Sequence, residues 1–100
     1  MVTVGLLLRF EVKPGFEADV ERTLKTSASA IESDEPGTIA WFGVRLGAST
    51  FAVFDVFPDD ESRQIHIAAG LERMKAIKPA IVEGSLVVER HDVVAAKLPK

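Results

Sequence analysis

The pattern of apolar and polar side chains along the chain predicts four β-strands. Successive residues of a strand point to opposite sides of a sheet. Alternation with this period appears over residues 2–12, 38–46 and 85–94, while residues 51–57 form a short run that is apolar on both sides. In the first segment every second residue is apolar, namely Val4, Leu6, Leu8, Phe10 and Val12. Residues 47–49 form a compact turn, which predicts that the second and third strands are an antiparallel hairpin.

Two helices are predicted between these strands. In residues 16–33 the side chains of Phe16, Val20, Leu24, Ser27 and Ile31 recur at three- and four-residue spacing and give one core-facing stripe. A second helix begins at the acidic residues 59–61, kinks or stops at Gly70, and continues over residues 71–77. The order β-α-β-β-α-β is typical of the ferredoxin-like α+β fold, a four-stranded antiparallel sheet with both helices on one face.

The third strand is apolar on both sides, which bears on assembly. Phe51, Val53 and Phe57 share one side with Asp55, while Phe54 and its neighbours Ala52 and Val56 share the other. Two helices cover one face only, and a monomer rarely exposes an apolar patch above a few hundred Å². We therefore expect a homodimer in which two sheets pack face to face as a dimeric α+β barrel. The alternative is a monomer with a smaller apolar outer face.

Composition narrows the range of functions. One hundred residues suit a single domain over residues 1–100, with residues 95–100 as a tail or an arm that reaches a partner. A net charge of −3 leaves no basic surface for nucleic acid. Cysteine, tyrosine and asparagine do not occur, and no apolar run approaches a membrane span. We expect a cytoplasmic protein with no membrane partner.

His66 and Asp55 are the candidate catalytic residues. A near-neutral imidazole can move protons at physiological pH, and His66 lies between two isoleucines in the second helix. A carboxylate on an interior strand is costly unless it is paired. We therefore expect Asp55 to orient His66 across the layer between sheet and helix. The alternative is that Asp55 bonds to the backbone or to Arg63, and that His66 is structural.

Aromatic residues and one cation on the central strands are the candidate substrate-binding residues: Trp41, Phe42, Arg45, Phe51 and Phe57. Trp41 shares its face with Gly43 and Arg45, which leaves room for a planar ligand beside the indole ring. The alternative is that the tryptophan is simply part of the core. No metal site is predicted, because the two histidines lie on different elements without ligand spacing.

Three segments of the chain resemble a known family. They are Glu-Pro-Gly-Thr-Ile-Ala-Trp at residues 35–41, Phe-Asp-Val-Phe at residues 54–57 and Arg-Gln-Ile-His-Ile at residues 63–67. They resemble the antibiotic biosynthesis monooxygenase domain family of the dimeric α+β barrel superfamily. The resemblance covers roughly residues 4–94. It implies a monooxygenase, an oxidoreductase that acts without a cofactor on a small aromatic or quinone-like substrate.

The chain departs from two branches of that family. The haem-degrading branch relies on an asparagine in the first strand, a tryptophan that ends the third strand, and a helix histidine. His66 matches the last of these, but Phe57 stands in the tryptophan position and the chain has no asparagine. Haem is therefore disfavoured as a cofactor. The polyketide oxygenase branch uses tyrosine and asparagine donors that this chain also lacks.

Two functions remain open at this point. The first is a monooxygenase with a cavity of roughly 300 Å³ or more that reaches His66. The second is a non-catalytic dimeric barrel that binds a small apolar or aromatic ligand, in which His66 is tightly packed with no open volume beside it.

Overall fold

A computed structural model describes residues 1–99, and Lys100, the last residue of the predicted tail, lies outside the described residues. The strands and helices are β1 (Val4–Glu11), α1 (Glu17–Asp34), β2 (Ala40–Arg45), β3 (Thr50–Phe57), α2 (Asp60–Met74) and β4 (Val87–Asp92). The strands form one antiparallel sheet in the order β2-β3-β1-β4. The predicted ferredoxin-like α+β fold is confirmed.

Strand register decides which side chains face the helices. Leu6, Asp55 and Trp41 lie side by side across β1, β3 and β2. A β-carbon added at Gly43, two residues from Trp41 and on the same face, would lie 3.4 Å from Cδ1 of Leu24 in α1. This row of the sheet therefore lies under the helices.

The core lies at the end of the sheet where β1 finishes and β3 begins. The rings of Phe10 and Phe51 stack with their centroids 6.3 Å apart. The other buried members of this cluster are Val12, Val20, Ile77 and Ala80. Each buried phenylalanine contributes about 1.5–3 kcal/mol relative to an exposed one, so this cluster holds α1 and the chain after α2 against the sheet.

The opposite face of the sheet has no helix over it. Phe42 and Phe54 are register partners there, with exposed fractions of 57% and 38%. Leu7 continues the row on β1, and Glu89 ends it on β4. The predicted apolar outer surface is therefore present on the β2–β3 side, while the β4 side is charged. Within the described chain the sheet stays open and does not close into a barrel.

Most element boundaries differ from the predictions by one or two residues, and the second helix and the fourth strand differ in ways that have a physical reason. The second helix is not broken at Gly70 but continues to Met74, because a helix tolerates an internal glycine at about 1 kcal/mol. The fourth strand spans Val87–Asp92 and not the whole of residues 85–94, since Ser85 instead turns back and donates its hydroxyl to Val82 O. No helix among residues 1–99 is both long and apolar enough to cross a membrane.

Candidate functional site

A buried histidine lies between two carboxylates under the sheet. Nε2 of His66 is 3.2 Å from Oδ2 of Asp55, and Nδ1 is 2.6 Å from Oε1 of Glu35. The side chains of His66, Asp55 and Glu35 are 7%, 0% and 5% exposed. Three elements thus bring together three ionisable groups that the solvent hardly reaches.

The two helices are fixed at the points that place these groups. Asp59 caps the N-terminus of α2, where its side chain accepts a hydrogen bond from the backbone N–H of Ser62 at 2.8 Å. One residue further on, Arg63 donates from Nη1 to Gly5 O at 3.1 Å and anchors the helix to β1. His66 follows about one turn later, so its ring is aimed at the sheet. Glu35 ends α1, where its backbone N–H donates to Ile31 O at 2.9 Å.

Glu35 has further partners besides His66. The hydroxyl of Thr38 donates to Oε1 at 3.0 Å, and Nη1 of Arg73 lies 2.7 Å from Oε2. Burial acts to raise the pKa of Glu35, but the contacts from His66, Thr38 and Arg73 outweigh it and hold the pKa below its usual value. Glu35 is therefore an anion at neutral pH.

Asp55 has fewer partners than Glu35. Apart from the 3.2 Å approach of His66, which is not well aligned as a hydrogen bond, neither carboxylate oxygen has a partner among residues 1–99. Burial therefore dominates and raises the pKa of Asp55, and the positive charge of His66 offsets this only in part. A buried carboxylate without a full set of donors is costly, and such groups are concentrated at functional sites.

Opposing effects act on His66 as well. Burial lowers its pKa, but the nearby carboxylates of Asp55 and Glu35 outweigh burial, so the net shift is upward. Both ring nitrogens already face carboxylates, on opposite sides of the ring. The two acids therefore cannot converge with the imidazole on one metal ion. The arrangement can instead pass a proton between Asp55 and His66.

The structure brings together some of the predicted site residues. Asp55 and His66 are in contact, as expected for a pair, and their catalytic role stays a prediction. The ring of Phe57 packs 5.3 Å from that of His66 between centroids. Trp41 is the register partner of Asp55 on the neighbouring strand. Asp55, His66 and Phe57 thus form one cluster beneath the helices, and Trp41 lies on the strand beside it.

Three other candidates lie elsewhere. Phe42 is on the open face of the sheet. Arg45 pairs with Phe51 four positions along β2 from Trp41, which is about 13 Å along a strand. The guanidinium of Arg45 lies 5.0 Å above the Phe51 ring, and Nη2 donates to Ala48 O at 3.1 Å. Arg45 and Phe51 therefore do not share a site with His66.

Two open hollows on the surface do not border His66. One of about 440 Å³ is lined by Arg45 and residues 46–48 at the β2–β3 turn, and one of about 270 Å³ lies on the outer side of α1. The cavity expected beside His66 is not either of these. Any ligand that reaches Asp55 must displace a side chain that now covers it.

The sequence did not point to Glu35 or Arg73. Glu35 precedes Pro36 and Gly37, so the sequence there indicates only the end of a helix and the start of a strand. One signal was available, because Arg73 lies seven residues after His66 and so shares its helix face. Its long side chain meets Glu35 from the same side of α2.

Comparison with solved structures places this fold in a known class. A putative antibiotic biosynthesis monooxygenase from Caulobacter crescentus CB15 superimposes with a TM-score of 0.81 at 19% identity, over 94% of this chain and 92% of that one. One from Deinococcus radiodurans gives 0.79 at 15% identity, over 97% and 98%. The predicted resemblance in fold to the antibiotic biosynthesis monooxygenases is thus confirmed.

A third structure is similar in sequence as well. It is the NE2512 protein of unknown function from Nitrosomonas europaea, with a TM-score of 0.83 and 38% identity, over 100% of this chain and 97% of that one. The chain belongs to the same family as this protein. No protein-family model matches the chain, and no curated protein matches it.

Proposed function

We propose that this protein is a homodimeric monooxygenase that acts, without a metal or organic cofactor, on a small hydroxylated aromatic or quinone-like substrate. The observation that carries the proposal is the buried Asp55 carboxylate, which lies beside His66 with its oxygens otherwise unpartnered. The fold supports it, because structures of this fold include putative antibiotic biosynthesis monooxygenases.

Asp55 is the group that meets the substrate in this proposal. Both nitrogens of His66 face carboxylates, so the ring has no free lone pair to offer. Asp55 retains an oxygen that no protein group satisfies. An acidic hydroxyl or methylene of the substrate supplies the missing donor, and the proton passes to Asp55. Trp41 lies beside Asp55 on β2 with the end of its indole ring over Gly43, and in this proposal the ring stacks on the aromatic plane of the ligand.

The substrate itself supplies the electrons. For an anthrone-like methylene, loss of one proton gives a carbanion, which transfers an electron to dioxygen and combines with it as a hydroperoxide after protonation. Loss of water from the hydroperoxide leaves a carbonyl. The sum is CH₂ plus O₂ giving C=O plus H₂O, with one oxygen atom in each product and no external reductant. The protein contributes proton transfer, orientation and exclusion of water.

Haem fits this site poorly. Axial ligation requires an imidazole nitrogen that is free to approach iron, and Glu35 and Asp55 occupy both sides of His66. We therefore propose a reaction that does not depend on haem.

The open face of the sheet is the proposed dimer interface. Phe42, Val44 and Phe54 are exposed there, and a two-fold axis would pack these residues against the same residues of a second copy. The charged side chains of β4 would then lie at the rim.

A second candidate function is a non-catalytic dimer that binds a small apolar or aromatic ligand. The tight packing of His66, which is 7% exposed and has Phe57 against its ring, favours this candidate. In that case the charged cluster serves only to fix α2 to the sheet and to α1.

Oxygen uptake separates the two candidates. A panel of anthrones, quinols and hydroxynaphthoquinones would be tested with the wild type, with Asp55→Asn, and with the exposed Asp92→Asn as matched control. The monooxygenase predicts one O₂ consumed per product with one ¹⁸O atom incorporated, and a loss of about 100-fold or more in Asp55→Asn only. Binding of these compounds without oxygen uptake, or equal turnover in Asp55→Asn, would refute the proposed function.

A further inference from the structure

Glu35 and Asp55 both contact His66, but they differ in how well they are held. Glu35 is engaged by the Thr38 hydroxyl at 3.0 Å and by Arg73 at 2.7 Å. Asp55 has only the 3.2 Å approach of His66. Oε2 of Glu35 also lacks an aligned hydrogen bond, but its ion pair with Arg73 and the Thr38 contact on Oε1 leave Glu35 better held than Asp55.

We propose that Glu35 is the positioning residue of this site. Arg73 and Thr38 hold Glu35, which accepts a hydrogen bond from Nδ1–H of His66. This hydrogen bond fixes the imidazole so that Nε2 faces Asp55. This inference rests on the proposed function for its catalytic meaning. The geometry of the His66 ring can be tested without any substrate.

The acceptor chemistry of Glu35 sets the tautomer. An ionised carboxylate only accepts hydrogen bonds, so the 2.6 Å contact requires a proton on Nδ1 of His66. With Nδ1–H committed to Glu35, only the proton between Nε2 and Asp55 is free to move. Glu35 thus acts through His66 and does not itself touch the substrate, whereas Asp55 does.

The charges around the imidazole come from three elements. Asp55 faces it from β3, Glu35 faces it from the end of α1, and Arg73 of α2 faces Glu35 from the far side. Arg73 keeps Glu35 anionic when His66 is neutral, because Glu35 then still has one cationic partner. The ring therefore keeps its orientation whether or not the proton between Nε2 and Asp55 is present.

The first test uses the free protein and ¹⁵N NMR of the histidine side chains. Wild-type His66 is expected to carry a proton on Nδ1, seen as a strongly deshielded signal that exchanges slowly, across its titration. In Glu35→Gln the pKa of His66 is expected to fall and the slowly exchanging Nδ1–H signal to disappear. Glu35→Asp, which keeps the charge but shortens the reach, is expected to behave like Glu35→Gln.

Matched controls and a second variant keep this test decisive. Glu32→Gln changes an exposed acid on the same helix and is expected to leave the His66 spectrum as in the wild type. If Glu35→Gln does not fold, Arg73→Met, at a side chain that is 24% exposed, is expected to release Glu35 and to weaken the slowly exchanging Nδ1–H signal of His66. A wild-type His66 with its neutral proton on Nε2, or an unchanged spectrum in both variants, would overturn the proposal.

The kinetic test separates positioning from binding. With a substrate that is turned over, Glu35→Gln is expected to lower kcat by about 10-fold or more with KM nearly unchanged, and to shift the pH–rate profile. The two proposals fail independently. No oxygen uptake with any substrate, together with the expected NMR result, refutes the proposed function alone, whereas turnover with an unfixed His66 refutes this inference alone.

Discussion

Gly37 lies against Ser62 so closely that a β-carbon at residue 37 would be 2.9 Å from the Ser62 β-carbon and 2.8 Å from its hydroxyl oxygen. This contact joins the loop after α1 to the first turn of α2. Glu35 is two residues before the glycine and His66 is about one turn after the serine. The absence of a side chain at Gly37 therefore allows the two halves of the site to approach each other.

Gly37→Ala is expected to separate these segments. Either the loop or α2 must shift by several tenths of an ångström, which costs about 1–3 kcal/mol as overpacking. Urea denaturation should show the loss of stability, and ¹⁵N NMR should show weakening of the Glu35–His66 hydrogen bond. Gly70→Ala in α2 is the control, since the nearest atom there is 4.0 Å away and alanine favours a helix.

Removal of the serine side chain should reverse this effect. In Gly37→Ala/Ser62→Gly the next atom is Ser62 Cα at 3.7 Å, an ordinary contact. The double variant is expected to be destabilised by less than the sum of the single variants. Additive losses would show that the Gly37–Ser62 contact does not control the spacing.

Replacement of the two acids should have opposite effects on stability. Asp55→Asn removes a buried carboxylate whose pKa is raised by burial, so the free energy of unfolding near neutral pH is expected to rise or to change by less than about 1 kcal/mol. Glu35→Gln leaves Arg73 and His66 without their anion and should cost about 3 kcal/mol or more. Equal destabilisation by both variants in urea denaturation would contradict this assignment.

Stability should fall on the alkaline side because of His66. Its pKa in the folded protein is raised above the usual 6.5 by Asp55 and Glu35, which outweigh burial. Its contribution is therefore fully present below about pH 6.5 and is lost as the pH rises through the folded-state pKa. Glu35 acts on the acid side, where its lowered pKa makes its contribution fade as the pH falls below about 4.5.

Histidine variants isolate this alkaline effect. In urea denaturation, the free energy of unfolding of the wild type is expected to be lower at about pH 9 than at about pH 6. The difference is expected to be smaller for His66→Gln. The control is His91→Gln, which removes an exposed histidine on β4 and should follow the wild type. A wild type that is equally stable at both pH values would exclude a raised His66 pKa.

A charge on the open face should block dimer formation. Phe42→Glu places a carboxylate from each subunit in the proposed two-fold interface, where a buried unpaired charge is costly. Sedimentation is expected to give twice 10.9 kDa for the wild type and 10.9 kDa for the variant. Leu71→Glu is the matched control, because this leucine is exposed on α2 and away from the sheet. A wild type that sediments as a monomer would rule out the interface.

Residue patterns were sufficient to predict the fold, because strand alternation and helix spacing act over a few residues. The same patterns predict that Asp55 and His66 meet across the layer between sheet and helix, and the two side chains are in contact. They could not identify Glu35, since a contact between residues 31 apart depends on how the loop after α1 packs on α2. They also could not decide the faces of Trp41 and Phe42, because both sides of β2 carry apolar residues and only the position of α1 distinguishes them.

The series of contacts from Asp55 through His66 to Glu35 and Arg73 joins β3, α2 and the end of α1. No single element supplies all four side chains, so the series forms only after both helices have packed on the sheet. Partly folded molecules, such as those released by a ribosome or populated in mild denaturant, would lack the buried acid altogether. The proposed chemistry at Asp55 is thereby coupled to the cooperative folding of the whole domain.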